Sequence, residues 1–255
     1  HIDNLGGGIG IMAVRDVAGD GLLTTTAFSG IYSYQINVNK KFTIRAGLQA
    51  TYMQRQIDFN KLRFSDQIVE RRGFILPTQE QLPNNQVSYP NFSTGFVGYT
   101  KNFFVGLAAH NITEPNQSFF NNTEDGTTLP RRFTLHGGVV LPLSKTRRGQ
   151  TPDMTLSPNL LVMYQQRFLQ INFGFYVNKG PLVTGLWFRQ TAPNADALML
   201  LLGVRYNKFK FGYSYDITVS SARPAAPGSH EISTSIEWCS KKPNKRYRKL
   251  TCPDF

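Results

Sequence analysis

The sequence predicts an all-β fold, an antiparallel up-and-down transmembrane β-barrel with about 12 strands visible in the chain. Three observations lead there. Apolar and polar residues alternate with a period of two over long segments. The segments run to roughly 9–12 residues, which is what a tilted strand needs to cross a bilayer and about twice an ordinary strand. The links between them are short on one side and long on the other. Composition agrees, with 255 residues that are 40% hydrophobic, 13% aromatic and only 17% charged. An ordinary soluble domain carries roughly a quarter charged residues. No run approaches the ~18–20 apolar residues of a membrane-spanning helix, which excludes a helical membrane protein.

The alternation is clearest over 42–52, 168–177 and 209–217. In the first, Phe42, Ile44, Ala46, Leu48, Ala50 and Tyr52 interleave with Thr43, Arg45, Gly47, Gln49 and Thr51. In the last, Phe209, Phe211, Tyr213, Tyr215 and Ile217 interleave with Lys210, Gly212, Ser214 and Asp216. Mixed versions place further strands near 7–15, 22–38, 91–100, 102–110, 132–143, 155–165, 181–190, 197–207 and 229–238. The less apolar face is small and polar, with scattered charges: Arg45, Arg189, Arg205, Lys210, Asp216, Glu231 and Glu237. That suits the interior of a closed barrel, and the seven are expected to form a polar network in its lumen. Trp187 shares the parity of Arg189. An unpaired buried charge costs several kcal/mol, so Arg189 and Arg205 are expected to meet carboxylates, Asp216 and Glu231 being nearest. Mixed charge, rather than bands of one sign, points to a narrow or occluded lumen. Aromatic residues at strand ends, among them Tyr52, Phe103, Tyr164, Tyr206 and Trp238, suit an interfacial girdle.

Short links fall at Asn39–Lys40, Lys101–Asn102, Asn178–Gly180 and Asn207–Lys208, and long ones at 59–90, 111–131 and 219–228. The long links follow the third, fifth and eleventh strands, so an up-and-down path puts all three on one side, read as extracellular. The 144–154 link is a moderately long exception. Residues 1–238 then form the barrel and 239–255 a basic periplasmic tail. The tail carries Lys241, Lys242, Lys245, Arg246, Arg248 and Lys249, a docking segment for an acidic partner or lipid head groups. It also holds both cysteines, Cys239 and Cys252, which form a disulfide in an oxidising compartment or remain free thiols. The net charge of +12 is otherwise dispersed, so nucleic acid is not an expected partner.

No metalloprotease, nucleophile-elbow or phosphate-loop motif is present. Ser229, His230 and Glu231 are adjacent, and successive residues on a strand face opposite ways, so they make no catalytic relay. His110 and His136 alone define no metal site. The segment Asp16 to Gly21 lacks the oxygen ligands of a calcium loop, and its Asp-Gly pair reads as a hairpin turn. Catalytic residues, metals and cofactors are therefore not expected.

The C-terminal third carries a resemblance. The run Gly212-Tyr213-Ser214-Tyr215-Asp216-Ile217 is followed by Gly228-Ser229-His230-Glu231-Ile232-Ser233, then Cys239, a basic stretch and Cys252-Pro253-Asp254-Phe255. This order resembles the PorP/SprF family of Bacteroidetes outer-membrane proteins, associated with type IX secretion and gliding motility. Supporting matches are Gly185-Leu186-Trp187-Phe188-Arg189, Leu135-His136-Gly137-Gly138 and 113–120. The resemblance implies a non-enzymatic component of the bacterial cell outer membrane. Implied partners are outer-membrane lipid, a periplasmic ring lipoprotein of the type IX apparatus, and secreted adhesins bearing a C-terminal signal domain. Family members usually carry a further N-terminal segment with an Asn-Pro-Ala motif. If it adds two strands, the barrel has about 14, as in fatty-acid-transporter-like barrels. Two alternatives remain open: a fatty-acid-transporter-like barrel passing a small or apolar solute, and a soluble β-sandwich binding module.

Overall fold

A computed structural model describes residues 6–19, 22–120, 127–144, 152–192, 194–221, 223–224 and 227–238. The basic tail and both cysteines lie outside the described residues.

The chain is an all-β antiparallel sheet in which twelve long strands hydrogen-bond in chain order. They are β1 (Gly7–Ala18), β2 (Leu23–Asn37), β3 (Thr43–Ile57), β6 (Gln86–Tyr99), β7 (Phe103–His110), β8 (Arg132–Val139), β10 (Met154–Gln165), β11 (Phe168–Lys179), β12 (Leu182–Thr191), β13 (Ala195–Tyr206), β14 (Phe209–Thr218) and β15 (Gly228–Ile236). Short pieces intervene: β4 (Ile68–Val69) pairs with β5 (Gly73–Phe74), and β9 (Leu141–Pro142) pairs with β10. All twelve strands expected from the alternation are present, and no α-helix occurs among the described residues.

Contacts divide the chain into two units. One comprises 1–34, 47–94 and 109–131, and carries the two longest links. The other comprises 35–46, 95–108 and 132–255, and carries β8 and β10–β15 complete.

In the second unit the register stacks like with like. Phe175, Leu186, Leu200 and Tyr215 lie side by side across four strands, and Val177, Thr184, Leu202 and Tyr213 form the next row on that face. The other face holds Gly174, Trp187, Met199 and Asp216, then Tyr176, Gly185, Leu201 and Ser214. The apolar rows are the exposed ones. Leu202 is 61% exposed and Leu48, on β3, 62%. Covered residues include many polar ones, with Ser157 0% exposed, Thr43 1% and Ser29 3%, beside Tyr89, Tyr99, Val183 and Ala197. A β-sandwich hides its apolar rows between two sheets. This chain presents them outward, so the sandwich expectation does not fit.

Trp187 has its place because Gly174 has no side chain. A Cβ at Gly174 would lie 2.4 Å from the Leu186 carbonyl oxygen and 2.6 Å from the indole. The indole edge in turn meets the Tyr176 ring at 5.6 Å.

Three boundaries differ most from expectation. β3 continues five residues beyond Tyr52, to Ile57. β6 begins at Gln86, ahead of 91, and carries Pro90 within it. The 132–143 strand divides after Val139: the Val140 amide donates to Asn102 O at 2.6 Å, and Leu141–Pro142 then joins β10. Turn chemistry matches the sequence elsewhere. The Asn39 side chain accepts from the amides of Lys41 and Phe42, both at 2.8 Å. Asn207 takes the left-handed conformation, with φ 54°, that a two-residue hairpin demands.

Filling the seat of Trp187 is expected to be costly. Gly174→Val should lose about 1–3 kcal/mol by overpacking. Denaturant titration followed by tryptophan fluorescence checks this, and an unchanged midpoint would show that the indole is free to move aside.

Candidate functional site: the polar face and the folded loops

On the polar face of the second unit, Arg189 is the best-connected charge. Its guanidinium donates to Asp216 Oδ2 at 2.8 Å and lies 3.5 Å from Asp196 Oδ2. It also contacts the Met199 sulfur at 3.3 Å. Register explains the first pairing, since Arg189 and Asp216 occupy adjacent rows of one face. Asp196 is a partner the alternation did not single out; it lies one residue from Ala197, the register partner of Arg189.

The other expected network residues form separate local contacts. Lys210 pairs with Glu237 at 2.5 Å. Glu231 accepts from the Ser214 hydroxyl at 3.1 Å. Arg45 donates to Gln35 Oε1 at 2.9 Å and to Tyr99 Oη at 3.5 Å, with its guanidinium 5.8 Å from the Tyr99 ring centre. Arg205 meets no carboxylate within 4 Å among the described residues, contrary to expectation. Register is the cause, because the residue opposite Arg205 is Lys210. Glu231 lies two rows away and Asp216 three, at about 7 Å per row.

His230 and its neighbours part company, as strand geometry requires. Tyr213 Oη and His230 Nδ1 lie 2.7 Å apart on the apolar face, and the imidazole stacks on Tyr215 at 4.5 Å. Glu231 faces the other way, toward Ser214. His136 stands on the polar face beside Phe104, ring centres 5.6 Å apart. Among the described residues no group of three or more His, Cys, Asp or Glu is arranged to hold a metal ion.

The first unit carries the second assembly. The 111–131 link is built onto polar-face residues of the strands beside it. Arg55, on the polar parity of β3, donates to Gln117 Oε1 at 2.7 Å and sits 5.8 Å from the Phe119 ring centre. Asn91 of β6, 6% exposed, donates to Asn111 Oδ1 at 2.7 Å, and Asn111 Nδ2 donates to Pro130 O at 3.0 Å. Asn111 and Glu114 both take positive φ, 57° and 44°. Arg131 closes the link, 3.2 Å from Glu114 Oε2 and donating to Ile112 O at 3.1 Å.

The 58–85 link is ordered from within. The Asp66 carboxylate accepts from the Gln79 amide at 2.6 Å and from the Thr78 hydroxyl at 2.9 Å. The Asn84 amide donates to Phe119 O at 3.2 Å, tying the two links together. Arg55 was legible in principle, since continuing the odd-position parity of 43–51 reaches it. Its loop partners Gln117 and Phe119 carry no periodic signal.

A sheet that turns apolar rows outward and covers polar ones belongs to a protein whose surroundings are hydrocarbon. The chain belongs to a family of such proteins. The family described as type IX secretion system membrane protein PorP/SprF matches residues 2–236, nearly the whole length. No match was found among curated proteins. The family is a membrane component of the type IX secretion system.

Two outcomes follow from the geometry. Asp216→Asn is expected to cost about 1–2 kcal/mol, with a similar coupling to Arg189→Met in a double-mutant cycle read by denaturant unfolding. Additivity of the two substitutions would remove the pairing from the energetics. The second concerns pH. The Gln79 amide, with Thr78, holds the Asp66 carboxyl below its ordinary 3.8. A depressed folded value means that the contribution is whole above 3.8 and is lost as pH falls through the folded value. Hydrogen-exchange protection of the Gln79 amide should therefore persist at neutral pH and drop in strong acid. Asp66→Asn should lack that acid step.

Proposed function

We propose that the chain is a non-enzymatic outer-membrane component of the type IX secretion and gliding machinery. Its sheet closes into a barrel whose apolar face meets lipid and whose polar face looks into the lumen. The 58–85 and 111–131 links face the cell exterior, and the basic tail 239–255 faces the periplasm. Through these surfaces it docks the periplasmic ring lipoprotein, an exported adhesin with a C-terminal signal domain, or both. The observation that carries this reading is the polarity of the strands, with leucine and phenylalanine rows outward and serine, threonine and asparagine covered. Family membership over 2–236 supplies the type IX assignment.

Docking is favoured over solute passage by the folded links. Arg55, Asn91 and Asn111 hold residues of the 111–131 link against the polar face, where a conducting barrel keeps its water path. The disulfide and the docking role of the tail belong to the same proposal. Cys239 and Cys252 would close the segment that carries Lys241 to Lys249.

The test is photo-crosslinking in cells from positions in the two links and the tail, followed by identification of the attached proteins. Attachment of type IX components or their cargo is expected. Attachment of none, with solute flux through the purified protein in liposomes, would replace docking with transport. Lipid contact has its own check. Leu202→Arg should cost about 2–4 kcal/mol of folding into vesicles if the residue lies near the bilayer midplane. A cost near zero would take that row out of the membrane.

A further inference from the structure

The polar face of β12–β15 thins into a hollow. Val183, Gly203, Gly212 and Ser233 form one cross-strand row, so two of its four positions have no side chain. The hollow there has a volume of about 240 Å³. Tyr176 and Leu201 bound it on one side, Arg205 and Lys210 on the other, with Ser233 and Ser235 along the β15 edge.

Two features of this hollow are unusual together. Arg205 and Lys210 are direct register partners on adjacent strands. Side chains in such pairs start about 5 Å apart, and like charges placed so repel. Lys210 has Glu237 at 2.5 Å. Arg205 has no carboxylate within 4 Å among the described residues, and its own backbone amide is spent on Pro181 O at 2.8 Å. Arg205 is left without a carboxylate among the described residues, beside Gly203 and Gly212, with the Ser233 hydroxyl lying over Gly212.

We propose that this hollow binds a single oxyanion, the carboxylate or phosphate group of a ligand, between Arg205 and Lys210. The guanidinium offers a planar fork that matches two oxygens at once. Lys210 adds a second charge, and Ser233 and Ser235 supply neutral donors. Among the described residues the Ser233 hydroxyl makes one hydrogen bond, a long one of 3.4 Å to Gly212 O, which it can give up. The glycine floor lets the anion approach the sheet more closely than any side chain would permit. The bound anion also compensates the Arg205 charge, which Glu237, engaged with Lys210, does not reach, so binding and stability are linked.

The experiment uses the full chain purified in detergent at low ionic strength, with inorganic phosphate and acetate as separate labelled probes in equilibrium dialysis. Saturable one-to-one binding of at least one probe is expected, weakened about tenfold or more by Arg205→Gln and by added chloride. The control Arg167→Gln, in an exposed turn, should bind as the parent does. Phosphate binding alone would assign the site to phosphate-bearing ligands, and acetate binding alone to carboxylates. Thermal unfolding gives the second readout. Without anion, Arg205→Gln should unfold at a higher temperature than the parent, and phosphate or acetate should raise the parent's midpoint only. Failure of both probes to bind, equal binding by the variant, or a lower anion-free midpoint for the variant would each overturn the site.

Discussion

Register is the constraint from which the rest follows. Side chains on a strand alternate between faces, so one pairing offset between neighbours decides the polarity of every residue on both. From Leu182↔Val204 to Arg189↔Ala197, β12 and β13 pair without interruption, and β13 and β14 do so from Ala197↔Thr218 to Tyr206↔Phe209. A slip of one residue would bring Leu200 and Leu202 onto the face of Asp216 and turn Met199 and Arg205 outward. Hydrocarbon has no hydrogen bonds to offer, so neither an unpaired strand backbone nor an inverted face is tolerated there. The glycine beneath Trp187 enforces the same register locally, since the indole fits over position 174 and over neither alternating neighbour, Phe173 or Phe175.

The polar face obeys a different rule from a protein core. It is held by hydrogen bonds and ion pairs that are local and only partly covered. Arg189 and Asp216 keep 28% and 20% of their side-chain surface exposed. At such exposure the desolvation cost is partial, and charges can be kept for reasons other than stability. Arg189 meets two carboxylates, Asp216 and Asp196, while Arg205, on the next strand of the same face, meets none within 4 Å among the described residues. That contrast within one sheet separates a structural pair from a surplus cation.

How much of this was legible depended on whether a feature was periodic. The twelve strands and the sides on which the long links emerge came from alternation and turn residues such as Asn39 and Asn207. The polarity of the faces was legible too, because outward phenylalanines and inward glycines leave a two-residue signature. The partners of charges were less so. Arg189 with Asp216 followed from strand order, but the position of Arg205 opposite Lys210 needed the register itself, and register is a relation between strands. The strand start at Gln86 was obscured by Pro90, whose missing amide reads as a stop. The Arg55–Gln117 contact joins residues 62 apart in the chain, and a loop has no period from which to infer it.

The links are the part of the molecule whose order is hardest to explain by membrane insertion alone. A barrel needs only that its strands pair, and links of this length are free to be loose. Here the Asp66 carboxylate gathers the Thr78 hydroxyl and the Gln79 amide, Asn84 ties one link to Phe119 of the other, and Arg55 fastens the second to the sheet. Ordering each residue costs about 1–2 kcal/mol of backbone entropy, which the chain has met during folding. A partner that binds the assembled links does not meet that cost again, and such preorganisation is what distinguishes a recognition surface from a tether. On the proposed reading, the sheet holds the protein in lipid and the order built into the links is a cost that a docking partner does not meet again.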